Sequence, residues 1–211
     1  MTLLNVALTG GIACGKSVVA SVFREKGCYV HSADRAAHEF TAPETPSWRA
    51  IVERFGPEVV RDDRTIDRGR LGRIVFADPE ARSFLSGLLH PLVMAKTREL
   101  VRDLEQEGRV KIFISEAALT IEAGFASFFD RVVVVTCPEE LQVRRLAARD
   151  GLERDEALRR IRSQQPATEK RRAAHYVIET SGTLAETIEQ SERVYAALMR
   201  DYEDKRGRAA R

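Results

Sequence analysis

The stretch Leu3-Leu4-Asn5-Val6-Ala7-Leu8-Thr9-Gly10-Gly11-Ile12-Ala13-Cys14-Gly15-Lys16-Ser17-Val18 decides how this chain is read. Leu3–Leu8, with Asn5 as its only polar interruption, has the look of a strand buried on both faces. Gly10 to Ser17 then follows the spacing glycine, four residues, Gly-Lys-Ser, and a helix is expected from Lys16 to Lys26, ended by Gly27. Glycines let the backbone curl until successive N–H groups face one anion, and the helix that follows adds its positive N-terminal end. Strand, loop and helix in this order predict a nucleoside triphosphate site. Its expected ATP-binding residues are Gly11, Ile12, Ala13, Cys14, Gly15, Lys16, Ser17 and Val18. Lys16 reaches the β- and γ-phosphates, and the Ser17 hydroxyl sits on Mg²⁺.

Working outward, further short strands are expected at Tyr29–His31, at Val110–Ser115, at the four consecutive valines of Arg131–Thr136, and at Tyr176–Thr180. Helices are expected at Glu139–Arg149, Arg154–Gln164 and Leu184–Glu203. Between Asp34 and Gln106 the pattern is mostly helical, divided by Pro43, Pro46, Gly56, Pro57, Pro79 and Pro91. Strands alternating with helices predict an α/β fold with a parallel sheet covered on both faces. The long helical stretch after the second strand exceeds a plain crossover and predicts a cap or subdomain. Lys205–Arg211 is polar and expected to fray.

The composition narrows the class. With 211 residues there is length for one domain with a modest insertion. A net charge of +2, from 34 cations against 32 acids, excludes a polybasic nucleic-acid arm as the main theme. The cations are six Lys and 28 Arg. This bias fits an anionic ligand, since Arg grips phosphate with a planar fork, but base composition of the genome is the better reading of it. Cys14, Cys28 and Cys137 make neither a metal-ligand pattern nor a disulfide framework, which points to a reducing, cytoplasmic setting. No apolar run reaches membrane-spanning length, and the N-terminal residues lack the positive region of an export signal.

A phosphate loop does not name a reaction. No Asn-Lys-x-Asp segment is present for reading a guanine base, and a motor needs more chain, so a small-molecule kinase is favoured. Between Arg144 and Arg172 stand ten Lys or Arg against five Asp or Glu. Arg145 and Arg149, one helical turn apart, are the candidates for stabilising the transferring phosphoryl group. For Arg154 and Arg159 a solvated, ion-paired helix face is the better reading. A kinase acceptor needs a carboxylate to orient its hydroxyl and take the proton. Asp34, Glu116 and Glu122 follow predicted strand ends, the ligand-binding edge of a parallel sheet. Asp34 is the best placed, although a helix N-cap would explain it as well. Cys14 is either a thiol activated by the loop or a small filler.

These residues together resemble the dephospho-CoA kinase family. Ala7-Leu8-Thr9-Gly10-Gly11-Ile12-Ala13-Cys14-Gly15-Lys16-Ser17 matches the family's opening, and Ser32-Ala33-Asp34-Arg35-Ala36-Ala37-His38 its Asp-Ala-Asp segment. Leu89-His90-Pro91-Leu92, Gln142-Val143-Arg144-Arg145-Leu146-Ala147-Ala148-Arg149-Asp150-Gly151, Arg160-Ile161-Arg162-Ser163-Gln164 and Lys170-Arg171 follow in order. The chain departs from the family at Ser32, across Glu116–Glu122, at Ala174-His175 and at Thr180-Ser181-Gly182. These positions lie on the acceptor-side loop and the base-binding side, and they leave the phosphate machinery in place.

The resemblance implies a single kinase domain with a five-stranded parallel core (1–40, 106–138 and 170–211). It adds a helical acceptor-binding region at about 60–105 and a lid at about 139–165. ATP, with Mg²⁺, would phosphorylate the ribose 3′-hydroxyl of dephospho-CoA, with Asp34, Lys16, Arg145 and Arg149 as the catalytic residues. No nucleic-acid or membrane partner is implied. His90 can touch acceptor or simply cap and pack, and His38 can line the site or cover a helix face. Two alternatives stay open: a kinase for another small hydroxyl acceptor, such as a nucleoside or sugar acid, and a nucleotide-binding regulator without catalysis.

Overall fold

The computed structural model describes residues 2–209. Five parallel strands, β1 (Leu4–Gly10), β2 (Tyr29–Ser32), β3 (Ile112–Glu116), β4 (Arg131–Thr136) and β5 (Tyr176–Glu179), form one sheet in the order β2-β3-β1-β4-β5. The expected strands are all present, with ends shifted by one or two residues. β1 and β4 are central and buried on both faces, which is why their sequences are nearly continuous apolar runs. Strand alternation still sorts their side chains. Leu4, Val6, Leu8, Val133 and Val135 pack with Val19 and Phe23 of α1 (Lys16–Glu25) and with Val194 and Leu198 of α9 (Leu184–Ala209). Ala7, Val132 and Val134 face the opposite side, with Phe129. Each large side chain buried in this way contributes about 1.5–3 kcal/mol.

All pairings within the sheet are parallel, so the carboxyl ends of the strands share one edge. There Gly10 pairs with Val135 at φ 151°, and a Cβ on it would stand 2.1 Å from the Val135 carbonyl oxygen. Only glycine lets β1 leave the sheet at this point.

The chain divides into two compact units: residues up to Ser32 together with Glu99 onward, and Ala33–Arg98. The second unit holds α2 (Ala33–Phe40), α3 (Pro46–Phe55), α4 (Arg68–Ala77) and most of α5 (Pro79–Glu107). Thr45 and Asp67 cap α3 and α4 by accepting the N–H groups of Trp48 and Arg70. Ile51, Phe55, Val59, Ile66, Leu71 and Ala81 form its own core. One expectation fails here, because Pro91 does not end a helix but lies inside α5. A mid-helix proline costs about 3 kcal/mol. α5 is anchored on both sides of it, by Ala81, Phe84, Leu85 and Leu88 before and by Leu100, Val101 and Leu104 after, and that packing outweighs the lost bond.

The C-terminal expectation also needs correction over its described part. α9 runs to Ala209 instead of fraying from Lys205, while residues 210 and 211 lie outside the described residues. Lys205 Nζ donates to the Leu3 carbonyl at 2.9 Å and to Asp130 Oδ2 at 2.6 Å. One turn earlier Asp201 accepts two bonds from Arg131, at 2.9 and 2.7 Å, and one from the Tyr176 hydroxyl at 2.6 Å. These contacts fasten the last turns of α9 to β4 and β5. Burial acts to raise the Asp201 pKa, but the bonds from Arg131 and Tyr176 outweigh it and hold the carboxyl below its usual range. A depressed carboxylate contributes its stability above the unfolded pKa and loses it as pH falls through the folded one. Asp201→Ala is expected to cost about 2 kcal/mol at pH 7, or roughly 4–8 °C in Tm for a chain of this size. The gap from wild type should be full above about pH 5 and narrow as pH is lowered below about 4. Thermal melts across that range check this, and a pH-independent gap would contradict it.

Candidate active site

The loop from Gly11 to Gly15 turns β1 into α1. Ala13 at φ 59° and Gly15 at φ 81° both lie in the left-handed region, the conformation that anion-binding backbone nests use. Gly15 stands at the N-cap of α1 and gives it no side-chain hydrogen bond, so the positive end of that helix is left for an outside anion. Lys16 Nζ donates to the carbonyls of Gly10 and Gly11, both at 3.1 Å, which keeps the ammonium over its own loop. Ser17 and Val18 occupy the first turn of α1, with Ser17 exposed. The loop is therefore built as the sequence predicts.

What holds it comes from far along the chain. Gln142 Nε2 donates to the Ile12 carbonyl at 2.6 Å, and the Ile12 N–H donates to Gln164 Oε1 at 2.8 Å. Arg145 donates to the Ala13 carbonyl at 3.2 Å and to the hydroxyl and carbonyl oxygens of Thr180 at 3.1 and 2.8 Å. The Thr180 hydroxyl in turn donates to the Cys14 carbonyl at 2.8 Å. A Cβ on Gly11 would meet Gln142 Nε2 at 2.6 Å, so Gly11 must lack a side chain for the clamp to close.

Val143 and Leu146 of α6 (Glu139–Asp150) and Ala157 of α7 (Arg154–Arg162) add an apolar contact with Ile12 and Ala13. Of the two predicted lid arginines, Arg145 is thus brought to the loop. Arg149 instead bonds both carboxylate oxygens of Asp150 at 2.8 Å. Arg154 pairs with Glu140, and Arg159 with Glu156, the solvated face expected of them. Sequence reasoning misses the clamping roles of Gln142, Gln164 and Thr180. The two glutamines carry a signal, as family positions without a role; Thr180 carries one only as a departure read on the base-binding side, whereas its hydroxyl lies against the phosphate loop.

Glu116 ends β3 in register with Leu8 of β1 and Ser32 of β2, at the edge where the loop begins. The backbone beyond it is tied down, with Ala117 N–H on the Leu8 carbonyl and the Thr9 hydroxyl on the Ala118 carbonyl. Lys170, in α8 (Ala167–Arg172), is 1% exposed. It donates to the Ala118 carbonyl at 3.2 Å and pairs with Glu122 at 2.6 Å. Glu122, a candidate acid from sequence, is thus the counter-ion of a buried ammonium. Lys170, with Gly11 and Cys14 of the loop, lines a cavity of about 320 Å³.

In the second unit, Asp34 is exposed in the first turn of α2 and acts electrostatically on Arg68 and His38. Burial, then the Arg68 charge, push the His38 pKa down against Asp34. Burial alone does so at His90 in α5. Both imidazoles are therefore held neutral near pH 7. Arg68 has no signal in the sequence. Among the described residues, no cluster of three or more His, Cys, Asp or Glu is arranged to hold a metal, and no helix is long and apolar enough to cross a membrane.

The buried pair gives a test. Lys170→Met leaves the Glu122 carboxylate without its counter-ion and is expected to destabilise by about 3–5 kcal/mol. Lys170→Met combined with Glu122→Leu should recover most of that loss. Urea denaturation of the three proteins checks this, and a single variant as stable as wild type would contradict it.

A dephospho-CoA kinase family model matches residues 4–186. The dephospho-CoA kinase of Syntrophus aciditrophicus is 38% identical over 198 residues, 94% of this chain and 84% of that protein. Among solved structures, one from Thermus thermophilus superposes with a TM-score of 0.75 at 33% identity, covering 93% of this chain and 98% of the other. The dephospho-CoA kinase of Campylobacter jejuni gives 0.65 at 30% identity, covering 90% and 94%. With its clamped phosphate loop on a five-stranded parallel sheet, this chain belongs to the dephospho-CoA kinase family.

Proposed function

We propose that this chain transfers the γ-phosphoryl group of ATP to the ribose 3′-hydroxyl of dephospho-CoA, giving CoA and ADP. The observation that carries this reading is the loop, whose carbonyls are tied back while the N-terminus of α1 stays open to an anion. Such a cradle is matched to a polyphosphate, and the family match supplies the acceptor.

In this reading Gly11, Ile12, Ala13, Cys14, Gly15, Lys16, Ser17 and Val18 hold the triphosphate. Lys16 exchanges the loop carbonyls for the β- and γ-phosphates. Arg145, already against the loop, and Arg149 from the same helix offset charge on the transferring group. Ser17 would hold Mg²⁺, which supplies neutralising charge at the phosphates. An exposed hydroxyl without a carboxylate cage suits an ion that keeps its waters and arrives with its nucleotide. Asp34 takes the proton of the 3′-hydroxyl as that oxygen bonds to phosphorus and the bond to the departing ADP oxygen breaks. Arg68 beside Asp34 gives the acceptor's pyrophosphate a cationic partner. Glu116 is the next carboxylate in line should the base lie elsewhere. The expected setting is the cytoplasm, where the substrates are found and free thiols persist.

Two substitutions separate the roles. Lys16→Ala should leave the fold intact, nearly abolish turnover and remove most of the thermal stabilisation by ATP–Mg²⁺. Undiminished stabilisation and turnover would refute the loop assignment. Asp34→Asn keeps the side-chain size but removes the proton acceptor, so kcat should fall by about 10²–10⁴-fold with nucleotide Kd nearly unchanged. Wild-type protein assayed against dephospho-CoA, nucleosides and sugar acids completes the test. Phosphorylation of another acceptor in preference to dephospho-CoA would keep the chemistry and overturn the substrate.

A further inference from the structure

Cys14 lies in the phosphate loop and Cys137 just beyond the end of β4, 123 residues later, yet their sulfur atoms are 3.4 Å apart. Both thiols are free and buried. Both nevertheless line the cavity of about 320 Å³ beside the loop, which gives a small solute a route to them. The thiol of Cys137 donates to the sulfur of Cys14. That bond lowers the Cys14 pKa against the opposing effect of burial, and the charges of Lys16 and Arg145 act in the same direction. The third cysteine, Cys28, is a contrast within the same chain: burial pushes its thiol up to about 12, leaving it protonated and inert.

We infer that Cys14 and Cys137 form a peroxide-sensitive pair that closes to a disulfide and switches nucleotide binding off. The inference rests on the reading of the loop as the ATP phosphate site. The Cys14 thiolate attacks one oxygen of a hydroperoxide, the O–O bond breaks, and the departing oxygen takes up a proton and leaves as water (or as an alcohol). Cys14 is then a sulfenic acid. The sulfur of Cys137 attacks it, the S–S bond forms, and the hydroxyl leaves as water with the proton that Cys137 gives up. Two thiols lose two electrons, and the hydroperoxide gains them.

The bond matters to the loop because of what else grips Cys14. Its carbonyl is held by Thr180, and its neighbour Ala13 by Arg145. Closing the sulfurs from 3.4 Å to a bond length of about 2.05 Å draws Cys14 toward β4 against those clamps. The N–H groups of the loop are thereby moved off the positions a polyphosphate needs, and misplacements of about 1 Å are enough to cost function heavily.

The test uses the full chain, reduced and then exposed to a few equivalents of hydrogen peroxide. Non-reducing peptide mass spectrometry should find a Cys14–Cys137 crosslink, with Cys28 still alkylatable. ATP–Mg²⁺ affinity by calorimetry should fall at least about tenfold and return with dithiothreitol. ATP–Mg²⁺ present during exposure should slow the crosslink. Cys137→Ala should bind ATP as wild type does and form no crosslink, its oxidised Cys14 being trapped instead by a sulfenic-acid reagent. Oxidation at Cys28 or between chains alone, or a crosslinked protein that binds ATP normally, would overturn the inference. A reduced wild-type protein that binds no ATP would overturn the loop reading and the switch with it, while the mass of the crosslink judges the thiol pair independently.

Discussion

The carbonyl groups of Ile12, Ala13 and Cys14 are each held from behind, by Gln142, Arg145 and Thr180. A backbone group points its N–H and C=O in fixed relative directions, so fixing three successive carbonyls fixes the amides between them. The loop alone lacks the means to do this. Its glycines remove steric barriers but also leave the unfolded segment with many conformations to lose. The clamps restrict that freedom before any ligand arrives, so binding need not bear that ordering cost. The sheet serves the same end. Gly10 opposite Val135 aims the loop out of the carboxyl edge, and parallel pairing brings β3, β4 and β5 to end beside it.

Charge is treated differently inside and outside this assembly. On the surface of α6 and α7, arginines pair with Glu140, Glu156 and Glu139 in contact with solvent, where water screens each pair and it adds little to stability. Lys170 is instead enclosed, and it is supported by Glu122 and the Ala118 carbonyl together. That pair joins the segment after β3, itself tied to the end of β1, to α8, which lines the cavity beside the loop. Glu122, a candidate acid by its place after a strand, is accounted for by the ammonium it neutralises.

Local rules are sufficient wherever the determinant is local. The valines of β4, the glycine spacing of the phosphate loop and the breakers ahead of α3 and α5 all act within a few residues, and those elements lie where the sequence puts them. Pro91 shows the limit, since its local cost is real but packing on both sides of it is not visible in a window around it. The tail of α9 shows it again: Lys205 reads as a polar end until Asp130 and the Leu3 carbonyl are known to be its partners. In the site, the loop is legible and its support is not. Gln142 and Gln164 are ordinary polar residues until Ile12 is placed between them, and Arg145 and Arg149 look equivalent on a helical wheel although only Arg145 is turned to the loop.

The phosphate loop is ordered in advance by side chains that lie outside it. Titration calorimetry of ATP–Mg²⁺ against Gln142→Leu combined with Thr180→Val tests this most directly, because the variant removes two clamps and leaves every loop residue and Lys16 in place. With the fold intact by circular dichroism, Kd should rise by about 10–100-fold, the loss expected for one or two hydrogen bonds of about 1–1.5 kcal/mol each. An unchanged Kd in a folded variant would mean that the loop orders itself around its ligand, and would contradict the claim that the clamps order it beforehand.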